Sequence, residues 1–101
     1  MKLKPGELSA STKGAINELL VCAYFMKRGY HVFRSMSPAC PCDLIIMKDQ
    51  TLYRVEVTSG YRSYKSINYP KKRGYEFDYY AIVFDGVVYI YDKNGVELTV
   101  V

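Results

Sequence analysis

The sequence has few of the residues that stabilise secreted, zinc-bound or membrane-spanning proteins. Only three cysteines and one histidine occur in 101 residues. An odd cysteine count does not suit a disulfide framework, and a closed zinc site needs four ligands, so neither is expected. The first twelve residues lack the apolar stretch of a signal peptide, and no apolar run reaches membrane-spanning length. We therefore expect an intracellular, cytoplasmic protein that does not bind membranes.

Tryptophan is also absent, whereas tyrosine occurs eleven times and half of all residues are hydrophobic. That proportion predicts a folded core, and the length suits one domain over residues 1–101 with a polar arm at 1–12. The net charge of +4 favours anionic partners weakly. The charge is concentrated between Tyr61 and Tyr75, a segment with five cations and no acid.

The hydrophobic pattern predicts one helix followed by strands. Apolar residues recur with the helical period over residues 13–28, where Ser11 or Thr12 can cap the start and Gly29 ends the helix. The strand-like runs are residues 30–36, 43–47, 52–58, 79–84, 87–91 and 96–101. Residues 60–77 read as a long loop or an extended hairpin. The expected fold class is α/β with α+β character, in which one N-terminal helix packs on a mixed sheet of five to six strands.

Two acids stand out because they occur within apolar strand-like runs. Side chains alternate across a strand, so Val55 and Val57 face the core while Glu56 faces the other side. If residues 48–50 close a hairpin, Asp43 lies near Glu56 on the neighbouring strand. Two close carboxylates repel each other unless a cation or a proton intervenes, and hard oxygen ligands suit magnesium or manganese.

Each acid also has an ordinary structural interpretation. Glu56 could be a solvent-facing strand residue paired with Arg54 or with a lysine across the sheet, and Asp43 could be a turn residue that follows Pro41. The order of the acids along the chain, with Glu18 on the helix and the basic segment after the third strand, favours the functional interpretation.

The chain resembles the PD-(D/E)XK nuclease superfamily, in particular archaeal Holliday-junction resolvases and small homing endonucleases of group I introns. Its landmarks are Gly14–Glu18, Gly29–Tyr30, Asp43 and Glu56, which follow the family's order and spacing. The similar stretches are KGAINELLVCAYFMKRGYHVFRS, PCDLIIMKDQTLYRVEVTS and FDYYAIVFDGVVYIY. The resemblance implies a restriction-endonuclease-like core and a metal-dependent endonuclease.

The resemblance also implies roles for individual residues. Asp43 and Glu56 would bind Mg²⁺ or Mn²⁺ together with the backbone carbonyl of Val57, and Glu18 would reach the metal directly or through water. Thr58 stands where the family has a catalytic lysine, and a hydroxyl brings no charge. Lys65 is the predicted substitute for that lysine, with Lys71 and Lys72 as the next candidates.

The basic segment is the predicted DNA-binding element, because its cations can neutralise phosphates and its tyrosines can contact phosphates or stack on bases. Its predicted contact residues are Arg62, Tyr64, Lys65, Lys71, Lys72 and Arg73. The ordinary alternative is a solvated loop. A site on so short a chain cuts one strand, so we expect a homodimer or a dimer of dimers, formed through the C-terminal strands and the exposed side of the helix.

Three functions remain open from the sequence. The first is a resolvase-like or homing-endonuclease-like enzyme that hydrolyses DNA. The second is a catalytically inactive DNA-binding protein on the same fold, which the threonine at position 58 favours. The third is a tyrosine-rich interaction module with no nucleic-acid role.

Overall fold

The computed structural model describes residues 8–37, 39–63, 66–68 and 77–98, with the backbone alone for residues 62, 63 and 66–68. A single helix in these ranges, α1, spans Ala10–Lys27. Ser9 is its N-cap and accepts a hydrogen bond from the Thr12 N–H at 3.2 Å. The helix therefore begins three residues before the predicted start, and the predicted caps lie inside it. Its end agrees with the prediction, since Gly29 has a left-handed φ of 86°.

Six strands form one mixed sheet, and two shorter strands pair separately. The strands are β1 His31–Arg34, β2 Leu44–Lys48, β3 Thr51–Ser59, β4 Tyr61–Ser63, β5 Ser66–Asn68, β6 Tyr79–Phe84, β7 Val87–Asp92 and β8 Glu97–Leu98. The large sheet has the order β1-β2-β3-β6-β7-β8. Only the pairing of β3 with β6 is parallel among the described strands. One helix on a mixed six-stranded sheet confirms the predicted fold class.

The β2–β3 hairpin closes through a two-residue turn. Lys48 pairs with Thr51, so Asp49 and Gln50 form the loop. Both have left-handed φ values, 51° and 67°, which match the twist of a type I′ turn. The predicted hairpin is confirmed, but its turn is one residue shorter than predicted because Lys48 belongs to β2. The β4–β5 pair shows that the described part of the segment after β3 is a hairpin, one of the two forms expected for it.

The main core lies between α1 and one face of the sheet. Val21 and Phe25 of the helix, which are fully buried, pack against Leu44, Val55 and Ala81. Val57 also packs there from its partly buried position, as the alternation along β3 predicts. Because α1 covers this face of the sheet, a different set of side chains packs on the other face.

A smaller cluster covers the opposite face. Phe77, Tyr80 and Ile82 are buried there, with Tyr89 and Tyr91 packed against them. In the described part of the chain, no helix is long and apolar enough to cross a lipid bilayer.

Candidate active site

The candidate site lies where β2 begins and β3 runs on past it. Leu44 at the start of β2 pairs with Val55, whereas β3 continues to Ser59. Asp43 precedes Leu44, and its N–H donates to the Val55 carbonyl at 3.1 Å. The backbone of Asp43 thus makes the last hydrogen bond on this side of β3 before the two strands separate.

The Asp43 carboxylate contacts the peptide that joins Glu56 to Val57. Its Oδ2 atom accepts a hydrogen bond from the Val57 N–H at 2.8 Å. A side-chain oxygen therefore takes the place that a β2 carbonyl would have filled further along a regular ladder. This contact brings the carboxylate of Asp43 to the Glu56 position, as the sequence predicted for the two strands.

Glu56 is one of the more deeply buried residues, with 6% of its surface exposed. Its neighbours Val55 and Val57 belong to the helix-side core, so alternation directs the Glu56 side chain to the opposite face. There it is in register with Tyr80 of β6. The interpretation of Glu56 as a solvent-facing strand residue is wrong, because so little of its surface is exposed.

The backbone carbonyl of Val57 is oriented towards the same gap. In an antiparallel pair, the N–H and C=O of one residue point to the same neighbouring strand. Since the Val57 N–H points to Asp43, its carbonyl points to the side where β2 has already ended.

The donor set at this position fits a hard divalent cation. Magnesium is bound by one or two carboxylates and keeps several waters, so Asp43, Glu56 and the Val57 carbonyl are a sufficient set of protein oxygens. Within the ranges that the structure describes, no three Asp, Glu, His or Cys side chains are grouped so as to hold a metal. Glu18 is therefore not placed as a third direct ligand beside the two strand acids.

Glu18 instead pairs with an arginine that the sequence analysis assigned no role. Arg34, the last residue of β1, donates from Nε to Glu18 Oε1 at 2.8 Å. The Glu18 side chain is 24% exposed and the Arg34 side chain 52%. The hydrogen bond and the charge of Glu18 raise the pKa of Arg34 above its usual value. Position at a strand end was the only sequence signal for Arg34, because Glu18 lies sixteen residues away.

A pocket of about 120 Å³ connects Arg34 to Asp43. The residues that line it are Phe33, Arg34, Ser35, Cys40, Cys42, Asp43, Leu44 and Ile45. Two of these residues are thiols, whose Sγ atoms lie 4.0 Å apart. Burial and the nearby Cys40 thiol raise the pKa of Cys42 to about 11, so this thiol stays protonated. Cys40 and Cys42 are free cysteines, as the sequence predicted.

The structure describes the remaining predicted catalytic and DNA-binding residues only in part. Thr58 is partly exposed, lies on the same side of β3 as Glu56 and is in register with Ile82. Among the predicted catalytic and DNA-binding residues, Tyr64, Lys65, Lys71, Lys72 and Arg73 lie outside the described residues, and Arg62 is described only by its backbone in β4.

Another arginine, Arg54 on β3, forms an ion pair with Asp78. The backbone N–H of Arg54 donates to Asp78 Oδ2 at 2.7 Å, and its Nε and Nη2 atoms reach the same carboxylate at 3.3 and 3.4 Å. Burial acts to raise the pKa of Asp78, but the hydrogen bonds and charge of Arg54 outweigh it and lower that pKa. Asp78 thus fastens the start of β6 to β3 just before the site.

The far end of β3 is tied to the helix. Asn17 donates from Nδ2 to Ser59 Oγ at 2.6 Å, next to a groove of about 430 Å³ between α1 and the ends of β3 and β6. The groove wall includes Lys13 and Asp85. This contact also went unpredicted, because it joins two polar residues that have no shared motif.

Comparison with known proteins assigns the chain to a family. A sequence profile described as PD-(D/E)XK endonuclease matches residues 8–98. Among solved structures, the chain matches a bacterial homing endonuclease, I-Ssp6803I, with a TM-score of 0.71 and 22% identity over 85% of this chain and 67% of the other. At that identity the structural match establishes the fold. A search of curated proteins finds no match.

Proposed function

The chain belongs to the PD-(D/E)XK endonuclease family, and from that premise we propose that it is a metal-dependent endonuclease that hydrolyses DNA phosphodiester bonds. The observation that carries the proposal is the hydrogen bond of 2.8 Å from the Val57 N–H to Asp43 Oδ2. It places one acid against the peptide of the second acid, which is the arrangement that two strand carboxylates need to share an ion.

Nucleases of this family use divalent metal ions, and we propose Mg²⁺ or Mn²⁺ here. Asp43, Glu56 and the Val57 carbonyl would hold the ion, with Glu18 contributing at most through water. When bound, the ion supplies a water of lowered pKa and compensates negative charge on the phosphate. The chain's own oxygens orient the ion, and the burial of Glu56 keeps bulk water away from one side of it.

The DNA-binding part of the proposal concerns the basic segment that follows β3. Its predicted contact residues directly succeed Glu56 and Thr58 in the chain, so a phosphate bound there would be close to the metal. We further propose an intracellular protein that acts as a dimer or a dimer of dimers, because each site cuts one strand. The substrate class covers both resolvase-like branched DNA and the linear duplex cut by homing endonucleases.

A cleavage assay with matched aspartate variants tests the proposal. Supercoiled, nicked and branched DNA are incubated with Mg²⁺ or Mn²⁺ and with the wild type, Asp43→Asn, Glu56→Gln or Asp49→Asn. Asp49→Asn is the control, since it removes the same charge at the opposite end of the β2–β3 hairpin. We expect cleavage by the wild type and the control and loss of cleavage in the other two variants. Equal behaviour of the wild type and Asp43→Asn would refute the enzyme.

A second candidate function is DNA binding without cleavage. It is favoured by Thr58, which puts a neutral hydroxyl on the same side of β3 as Glu56. This function predicts salt-dependent DNA binding with no metal-dependent cleavage by the wild type, and the appearance of cleavage in Thr58→Lys. Cleavage by the wild type would eliminate it.

A further inference from the structure

We propose that Arg34 is a catalytic residue whose guanidinium contacts the scissile phosphate and supplies the positive charge that Thr58 does not. The inference rests on the proposed endonuclease function and adds a residue that the family motif does not include. The site lacks one positive charge, because Thr58, which follows Val57 on β3, carries a neutral hydroxyl where the family has a lysine.

Arg34 lies close to Asp43, one of the two proposed metal-binding acids, because the two residues line the same pocket. Arg34 pairs with Leu44 across the β1–β2 ladder, and Asp43 is the next residue along. Both Arg34 and Asp43 line the pocket of about 120 Å³, which is small enough for a group bound at one wall to reach the other. A phosphate held by a metal at Asp43 would therefore be within reach of the arginine.

The way Arg34 is held leaves its phosphate-binding atoms available. Glu18 takes the Nε hydrogen bond, and the two Nη groups have no hydrogen-bond partner among the described residues. Half of the side chain is exposed, at 52%. A guanidinium bound through Nε by a carboxylate keeps a pair of N–H donors for phosphate oxygens, which arginine binds in a bidentate manner.

The two described cations on β2 and β3, Lys48 and Arg54, contact groups outside this pocket. Arg54 donates to Asp78 from its backbone, Nε and Nη2. Lys48 at the far end of the hairpin donates to the Arg28 carbonyl at 3.2 Å and lies 5.0 Å from the Tyr30 ring centre. Of these and Arg34, only Arg34 borders the pocket that contains Asp43.

An arginine can stabilise the negative charge of the transition state as well as a lysine can. Negative charge accumulates on the phosphate oxygens as water attacks, and a fixed cation offsets it. Arginine stays protonated at all relevant pH values, so it stabilises charge but does not transfer the proton of the attacking water. Glu18 then serves as a positioning residue, because it fixes the guanidinium through Nε.

Single-turnover cleavage by arginine variants provides the test, with labelled duplex DNA of the plasmid sequence that the wild type cuts. Arg34→Gln keeps a side-chain N–H donor for Glu18 but loses the charge, whereas Arg34→Lys keeps the charge. The matched control is Arg28→Ala, which removes an arginine whose guanidinium lies 3.4 Å over Tyr24. Arg28 directly follows the last residue of the helix, ten residues after Glu18 and about 15 Å from it along the helix axis.

We expect Arg34→Gln to lower the cleavage rate by about 100-fold, the effect of losing one donor at a charged transition state. Binding of the same DNA by gel shift and the thermal midpoint should change little. Arg34→Lys should recover part of the rate, and Arg28→Ala should cleave at the wild-type rate. Adding Thr58→Lys to Arg34→Gln should restore cleavage, because the ammonium returns on β3, and a residue needed only to hold Glu18 would not be rescued in this way.

Two outcomes overturn the inference while leaving the endonuclease intact. One is wild-type cleavage by Arg34→Gln, and the other is loss of cleavage that Thr58→Lys does not restore. If the wild type itself does not cleave, the proposed function fails and the inference fails with it. The wild-type lane therefore separates the two failures.

Discussion

The two ends of the β2–β3 hairpin are held together differently. At the turn end, Asp49 and Gln50 form a type I′ loop, and the backbone ladder continues up to Lys48 and Thr51. At the other end, the Asp43 side chain accepts the Val57 N–H at 2.8 Å, so a carboxylate replaces the backbone acceptor.

The difference shows how one strand pair can be both scaffold and site. Backbone pairing at the turn end satisfies the backbone polar groups of the two strands internally. At the open end the ladder stops, so carbonyl and carboxylate oxygens are left facing one gap. We propose two tasks for Asp43 there: one oxygen accepts the Val57 N–H, and the other is the proposed cation ligand.

The largest effect on the difference between the two hairpin ends is expected from removal of the Asp43 carboxylate. Asp43→Ala should lower cleavage by at least about 100-fold, because a metal ligand and its charge are lost. It should also lower the free energy of unfolding by about 1–2 kcal/mol, since the Val57 N–H loses its partner. Plasmid cleavage and urea denaturation measure the two effects.

Asp43→Asn separates these two tasks, because the amide oxygen still accepts the Val57 N–H. We expect it to lose cleavage as Asp43→Ala does while retaining nearly the wild-type stability. Equal loss of stability in both variants would contradict the structural role assigned to the hydrogen bond.

A smaller effect is expected from improving the turn end. Gln50 has a φ of 67°, a conformation that glycine adopts without strain. Gln50→Gly creates an Asp-Gly turn and should raise the free energy of unfolding by about 0.5–1 kcal/mol. Cleavage should not change, because the turn lies at the other end of the hairpin. The free energy of unfolding is measured by thermal or urea denaturation. An equal stabilisation by Gln50→Ala would contradict the explanation from the left-handed φ.

The smallest effect is a pH dependence from Asp78. The pKa of this acid is lowered in the folded protein from its usual 3.8, so the Arg54 pair stabilises the fold above that pH and the contribution is lost as pH falls through the lower folded pKa. The thermal midpoint should therefore decline below about pH 4, and less steeply in Asp78→Asn than in the wild type.

The control for this titration is Asp85→Asn, which removes a carboxylate from the β6–β7 turn without affecting the Arg54 pair. Since the side chains of Arg54 and Asp78 are 42% and 34% exposed, solvent screening should keep the effect small. An acid decline with the same slope in Asp78→Asn would show that other carboxylates account for it.

Periodicity was enough to predict the elements that place the site. Helical spacing indicated α1, alternation put Val55 and Val57 on the core side, and the turn at Asp49 set the register of the hairpin. The helix start was predicted three residues late, because Ser9, Ser11 and Thr12 all suit an N-cap and sequence alone does not rank them.

The contacts that define the chemistry of the site could not be read from the sequence. The Glu18–Arg34 pair spans sixteen residues and the Asn17–Ser59 hydrogen bond spans forty-two. Such pairs depend on how the helix lies across the sheet, and no local pattern encodes that. The hydrogen bond from Val57 to Asp43 likewise depends on the chain leaving the β2 ladder at one particular residue.

A crystal soaked in Mn²⁺ tests the central claim most directly through its anomalous scattering. The account predicts one peak in the gap that faces the Asp43 carboxylate, the Glu56 carboxylate and the Val57 carbonyl, at about 2.0–2.3 Å from the oxygens. The same soak of Asp43→Asn crystals should show no peak there. Wild-type crystals with no manganese at this end of the hairpin, or with a peak that persists in Asp43→Asn, would contradict it.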